Sequence, residues 1–164
     1  MKRVYILFFI LCIFITGCSN KDEYSNWVKV DVPDVGTLKI PSEWRFEVQG
    51  DYCMLTDKES DDIKFIGYNT QDFNMKRDIQ FNINNYEVYL ENRDDSDFGE
   101  VYGGLSTGVI YGKKPITING IEKEQYFIYM GTGSHDKDME LISVNKDEFD
   151  DEFIEKMAKG MNEP

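Results

Sequence analysis

Histidine occurs once in these 164 residues, at position 135, and basic side chains are scarce, 18 Lys and Arg against 31 Asp and Glu. One His is thin material for a zinc or iron centre, which wants several fixed ligands. The deficit of positive charge disfavours nucleic acid as a partner, because a phosphate backbone is repelled by an acidic domain. Flat electrostatic docking of the whole domain on anionic lipid is disfavoured on the same ground. Cationic partners stay open, although surface acids on an exported domain chiefly keep it soluble. No apolar stretch is long enough to cross a bilayer. The longest, Val4 to Ile15, covers about 18 Å as a helix against roughly 30 Å of hydrocarbon.

That run has another reading. Lys2 and Arg3 precede it and Thr16, Gly17 and Cys18 come after it, the pattern of a signal peptide. Ile15-Thr16-Gly17-Cys18 resembles the lipobox of bacterial lipoproteins, in which a branched aliphatic stands three positions before the cysteine and small residues come between. Ile replaces the usual Leu and Thr the usual Ala or Ser. The resemblance covers residues 1 to about 20. It implies that the Cys18 thiol carries a diacylglyceryl group, that the chain is cut before Cys18, and that the protein sits on a bacterial membrane facing the extracytoplasmic side. Two acyl chains, at about 0.8 kcal/mol per buried methylene, hold far more firmly than one.

On this reading residues 1–17 are the signal peptide, 18–26 a polar lipidated tether, and 27–164 a single domain. Removing residues 1–17 takes away Lys2 and Arg3 and no acid, which leaves 147 residues with 16 basic and 31 acidic side chains, a formal charge of −15. With Cys12 in the signal core and Cys18 lipidated, only Cys53 remains, so no intramolecular disulfide forms. Cys53 lies in the apolar run Tyr52-Cys53-Met54-Leu55, where a thiol behaves as a small buried hydrophobe. Asp51 and Asp57 oppose the cationic setting that a reactive thiolate needs.

Alternation and turn residues predict strands at Trp27–Val32, Thr37–Ile40, Arg45–Val48, Tyr52–Thr56 and Ile63–Tyr68, the later ones as an antiparallel meander. Ile79, Ile83, Tyr86 and Leu90 fit a helical face, and Asn84 and Asn85 suit its start, so a middle helix is expected from about Asn85 to Asn92. Val109–Ile118 and Ile121–Met130 flank Asn119-Gly120, the pair favoured in a type I′ turn. Pro115 suggests an edge strand or bulge there. A last strand, Met139–Val144, precedes a C-terminal amphipathic helix marked by Phe153, Ile154, Met157, Ala158 and Met161 behind the acids Asp150, Asp151 and Glu152. The expectation is α+β: an antiparallel sheet of about six strands with one middle helix and the C-terminal helix. Leu38-Lys39-Ile40-Pro41-Ser42-Glu43-Trp44, with the final strand and helix over Leu141 to Met161, resembles the PsbP-like family. That resemblance implies an α/β/α sandwich and carries no functional residues.

Gly104-Leu105-Ser106-Thr107-Gly108 has the G-x-S-x-G form of a nucleophile elbow, which needs a strand before and a helix after. His135 is the only base that could activate Ser106, and the residues on its C-terminal side, Val109-Ile110-Tyr111, have a strand pattern. Gly112-Lys113 fails as a phosphate loop because Thr107 and Lys114 stand where Gly and Ser or Thr are required. The acidic loop Asp94 to Glu100 does not fit an EF-hand register. His135, Asp136, Asp138 and Glu140 form a second oxygen-rich patch, read as a solvated loop, so no metal and no cofactor are expected. The remaining reading is a non-enzymatic, lipid-anchored binding or accessory domain, with a protein or envelope component as partner. The alternative is a small envelope serine hydrolase using Ser106 and His135. Candidate contact residues are Trp27 beside the tether and Tyr111, Lys113 and Lys114 on the expected hairpin edge, where a partner strand could pair.

Overall fold

Short apolar runs punctuated by Asn, Asp and Gly fold here as hairpins. A computed structural model describes residues 24–70, 78–91, 100–104, 108–131 and 138–161, the side chains of Thr70 and of 100–104 excepted. Strands β1 (Trp27–Val32) and β2 (Gly36–Pro41) form a separate two-stranded ribbon. Strands β3 (Trp44–Gln49), β4 (Tyr52–Asp57) and β5 (Ile63–Thr70) make the expected meander. After them come β6 (Ile79–Ile83), β7 (Tyr86–Leu90), β8 (Glu100–Gly104), β9 (Val109–Ile118), β10 (Ile121–Met130) and β11 (Asp138–Ser143). A 3₁₀ turn at Lys146–Glu148 leads to helix α1 (Asp151–Lys159). The large antiparallel sheet runs β3-β4-β5-β11-β10-β9-β7-β6, with β8 also paired to β9.

Both faces of this sheet are apolar. On one, Cys53, Leu55, Phe65, Tyr126, Ile128, Met139 and Leu141 pack against Ile154, Met157 and Ala158 of α1 and against Leu38 and Ile40 of the ribbon. On the other, Met54, Ile66, Tyr68 and Ile142 pack against Phe81, Ile83, Val88 and Leu90. Those last four belong to the β6–β7 hairpin at the opposite end of the strand order from β4, so the sheet curls until its far end covers its own inner face. Tyr52 on β4 stacks on Phe81 of β6 with ring centres 4.4 Å apart. The C-terminal helix forms as its sequence predicts: Asp150 caps it by accepting the Phe153 amide at 2.8 Å, and Asp151 and Glu152 occupy its first turn.

The expectation of about six strands and a middle helix is wrong. The chain is mostly sheet, eleven strands with one α-helix among the described residues. Asn84 and Asn85 take φ of 45° and 67°, both left-handed, which is the geometry of a type I′ hairpin turn rather than a helix cap, and β7 occupies Tyr86–Leu90. The single helix likewise departs from the α/β/α layering implied by the PsbP-like resemblance. The Asn119-Gly120 hairpin forms, with φ of 52° and 76° at the two residues and an unbroken register from Ile118↔Ile121 to Val109↔Met130.

Strand β9 is not an edge, since β10 flanks it on one side and β7 and β8 on the other. Pro115 falls between the two neighbours: β7 pairs with Ile118 and Thr117, and β8 pairs from Lys113 to Ile110. The Asn119 amide bonds the Glu87 carbonyl at 2.8 Å, so by strand alternation position 115 faces the same side, where no donor is needed. A register shift between Leu55 and Thr56 accompanies Thr56 Oγ1, a buried side-chain atom without a hydrogen-bond partner.

Gly67 sits at the centre of the sheet, opposite Cys53 on one side and Leu141 on the other. A Cβ there would lie 2.4 Å from the Cys53 sulfur and 2.7 Å from Leu141 Cδ2. We expect Gly67→Ala to destabilise the domain by about 1–3 kcal/mol through overpacking, read from urea midpoints. Adding Cys53→Ala should return part of the loss, and fully additive effects in that double-mutant cycle would refute the clash.

Candidate functional site

The polar group most deeply placed in the curl is Glu140. Register puts Tyr52, Tyr68, Glu140, Tyr129 and Ile110 in one row across five strands. Glu140 is 6% exposed, accepting from the Tyr68 hydroxyl and from the Lys114 ammonium. Lys114 Nζ also lies 5.1 Å from the Phe127 ring centre. Tyr129 donates to Asp138 at the end of the same strand pair. Burial, and then the Glu140 charge, hold the Tyr68 hydroxyl well above the usual tyrosine range, so it remains a neutral donor. A carboxylate taken out of water among apolar side chains is tolerated because an ammonium and a hydroxyl replace its hydration. Spacing alone groups Glu140 with the loop acids near His135, and the structure separates it from them. Its position inside the apolar run Met139–Ile142 is the sequence signal for burial.

The opposite face carries Lys113. It bridges to Asp151 at 3.1 Å and lies 4.7 Å from the Tyr126 ring centre, while the Tyr126 hydroxyl donates to Asp151 at 2.5 Å. That hydroxyl bond, then Lys113, holds the Asp151 carboxyl below its usual range. The cluster ties the first turn of α1 to β9 and β10. Tyr111 is buried under α1, 7% exposed. Tyr111, Lys113 and Lys114 are thus divided between the two faces of an interior strand and do not converge. Trp27 is half-buried, with Phe153 at 5.5 Å and Tyr24 edge-on at 5.5 Å.

A shallow hollow of about 330 Å³ opens where Trp44, Phe149 and Phe153 meet Glu43, Asp57, Glu148 and Asp150. Three of its carboxylates serve internal bonds: Glu148 pairs with Lys64 at 2.8 Å, Asp150 caps α1, and Asp57 accepts the Glu59 and Ser60 amides. Among the described residues no three His, Cys, Asp or Glu side chains converge as a metal would require. Cys53 is buried, its sulfur 3.9 Å from that of Met139, and burial pushes its thiol up to about 12.

Cys18, Ser106, His135 and the loop Asp94 to Gly99 lie outside the described residues. The strands flanking Ser106, β8 and β9, pair antiparallel, so the G-x-S-x-G segment joins strand to strand and lacks the helix of a nucleophile elbow. No known protein family, curated protein or solved structure matches the chain.

We expect removal of one partner of the buried pair, by Lys114→Met, to destabilise the domain by about 3–5 kcal/mol because Glu140 is left uncompensated. Lys114→Met with Glu140→Gln should recover most of that loss in chemical denaturation. Equal losses in the single and double variants would show that the pair is not coupled.

The Cys53 thiol should be inert to an aqueous thiol reagent until the domain is unfolded. Its raised value adds stability that is fully present below the unfolded thiol pKa of about 8.5 and is lost as pH rises through about 12. Cys53→Ala should therefore flatten the alkaline limb of stability against pH; an unchanged limb would contradict this.

Proposed function

We propose that the chain is a bacterial lipoprotein, held through lipid on Cys18 at the outer side of a membrane, whose β-rich domain binds or assists a protein or envelope component without catalysing a reaction. The observation that carries the reading is Ile15-Thr16-Gly17-Cys18 behind a short cationic start and a twelve-residue apolar run. Among the described residues no helix is long and apolar enough to cross a membrane, so they contain no helical span that could take the place of the lipid as anchor. Packing of the domain begins at Tyr24, six residues after Cys18, which suits a protein whose task lies close to the bilayer. The formal charge of −15 after cleavage favours a cationic or neutral partner over nucleic acid. Lys113 and Lys114, each bound to a carboxylate, are read as internal ties; the exposed surface around Trp27 is the better contact candidate.

Cys18→Ala should abolish lipid labelling and leave an uncleaved precursor, checked by metabolic labelling with a fatty acid and by intact mass. Mature size and ordinary membrane retention in that variant would overturn the anchor. A fluorophosphonate probe should leave the protein unlabelled, whereas labelling that Ser106→Ala abolishes would make it a serine hydrolase.

A further inference from the structure

Lipid on Cys18 fixes one point of the protein and leaves open which face of the domain meets the headgroups. The Tyr24 hydroxyl donates to the Lys156 carbonyl at 2.9 Å, and the Trp27 amide donates to the Tyr24 carbonyl at 2.9 Å, so the chain is tied to the domain from Tyr24 onward. Six residues from Cys18, even fully extended, reach roughly 20 Å. The corner around Tyr24 is therefore held near the bilayer.

Three segments far apart in sequence bring similar chemistry to that corner. Lys39 of β2 places its ammonium 4.2 Å from the Tyr24 ring centre, and Lys156 of α1 places its own 4.5 Å from the Trp27 ring and 5.4 Å from the Tyr24 ring. Half-exposed aromatic rings with polar edges, carrying lysines, are the composition of a membrane-interface belt. Val28 beside them is 40% exposed.

The acidity of the domain does not decide the matter here, because its charge is unevenly placed along α1. Asp151 and Glu152 lie in the first turn and Lys156 and Lys159 in the last, with Glu155 paired to Lys159 at 2.7 Å. Nine residues at 1.5 Å set the two ends about 12 Å apart, beyond the screening length of about 8 Å at physiological ionic strength. A bilayer against the Lys156 end feels those lysines more than the distant acids.

We infer that this corner is a membrane-docking face: Tyr24 and Trp27 rest at headgroup level and Lys39 and Lys156 meet the phosphates of anionic phospholipid. The inference rests on the lipid anchor proposed above. It orients the molecule. Strand β9 passes Glu155 and Lys159 at Tyr111 and pairs its Lys113 with Asp151, so it runs from the last turn of α1 toward the first and beyond it. Its turn at Asn119-Gly120 thus points away from the bilayer, about 25 Å beyond Tyr111.

The test uses the full chain purified with its lipid and reconstituted in phosphatidylcholine vesicles with or without phosphatidylglycerol. An environment-sensitive dye is placed at Val28→Cys or at Ile121→Cys, which lies beside the distant turn and is 58% exposed in the native residue. Buried Cys53 leaves the labelling specific. Quencher-bearing headgroups should quench the dye at position 28 strongly and at 121 weakly. The contrast should grow with phosphatidylglycerol and collapse in Lys39→Glu with Lys156→Glu, with circular dichroism confirming the fold. Equal quenching at both positions, or a contrast that the double variant leaves unchanged, in protein whose mass shows lipid on Cys18, overturns the docking face and spares the anchor. Absence of lipid on Cys18 overturns both.

Discussion

The centre of the large sheet is apolar on both faces, and every other feature of the fold answers to that condition. Six consecutive residues of β10, Gln125 to Met130, are buried, as are Met139 to Ser143 of β11. Strands of this kind need cover on each side. One side is closed by α1 and the β1–β2 ribbon. The other has no helix from the described residues to lie on it, and the sheet supplies its own cover by curling the β6–β7 hairpin back over β4 and β5. The strand order comes from this: β9, β10 and β11 must fill the space between β5 and the hairpin that the chain made before them.

A curl with a sealed inner face makes polar groups there expensive, and Glu140 shows how the expense is met. Its carboxylate lies between Lys114 and Tyr68 from strands on either side of β11, so the same bonds that satisfy it also pin β9 and β5 in register. On the outer side, Lys113 and Tyr126 hold Asp151 and fix where α1 starts. Adjacent lysines on one strand thus serve opposite faces, as period-two alternation requires.

Local patterns make much of this legible. Strands β1 to β5 and β9 to β11, the Asn-Gly hairpin, and the capped terminal helix lie within a few residues of where alternation and turn chemistry put them. The middle misleads because Ile79, Ile83, Tyr86 and Leu90 satisfy a helical period as well as two short strands, and Asn84-Asn85 serves as a cap or as a turn. The turn wins because the hairpin covers an inner face that a solvent-facing helix would leave bare. The short β8, rich in Gly, carries no alternation to find. Pro115 points correctly to a missing donor but not to its cause, which is a handover between two neighbouring strands and not a free edge.

What the sequence determined by itself is local: where strands and the terminal helix lie, that one thiol stays within the domain, and that a lipobox-like segment precedes it. Each depends on side chains within a few residues of one another. Only the tertiary structure decided which strands neighbour which, that Glu140 is sealed inside with Lys114 and Tyr68, and that Lys39 and Lys156 meet at Tyr24. Lys114 and Glu140 are 26 positions apart, and Tyr24 and Lys156 are 132 apart. Such pairings are set by how two apolar faces find cover, a condition on the whole chain that no single window of sequence contains.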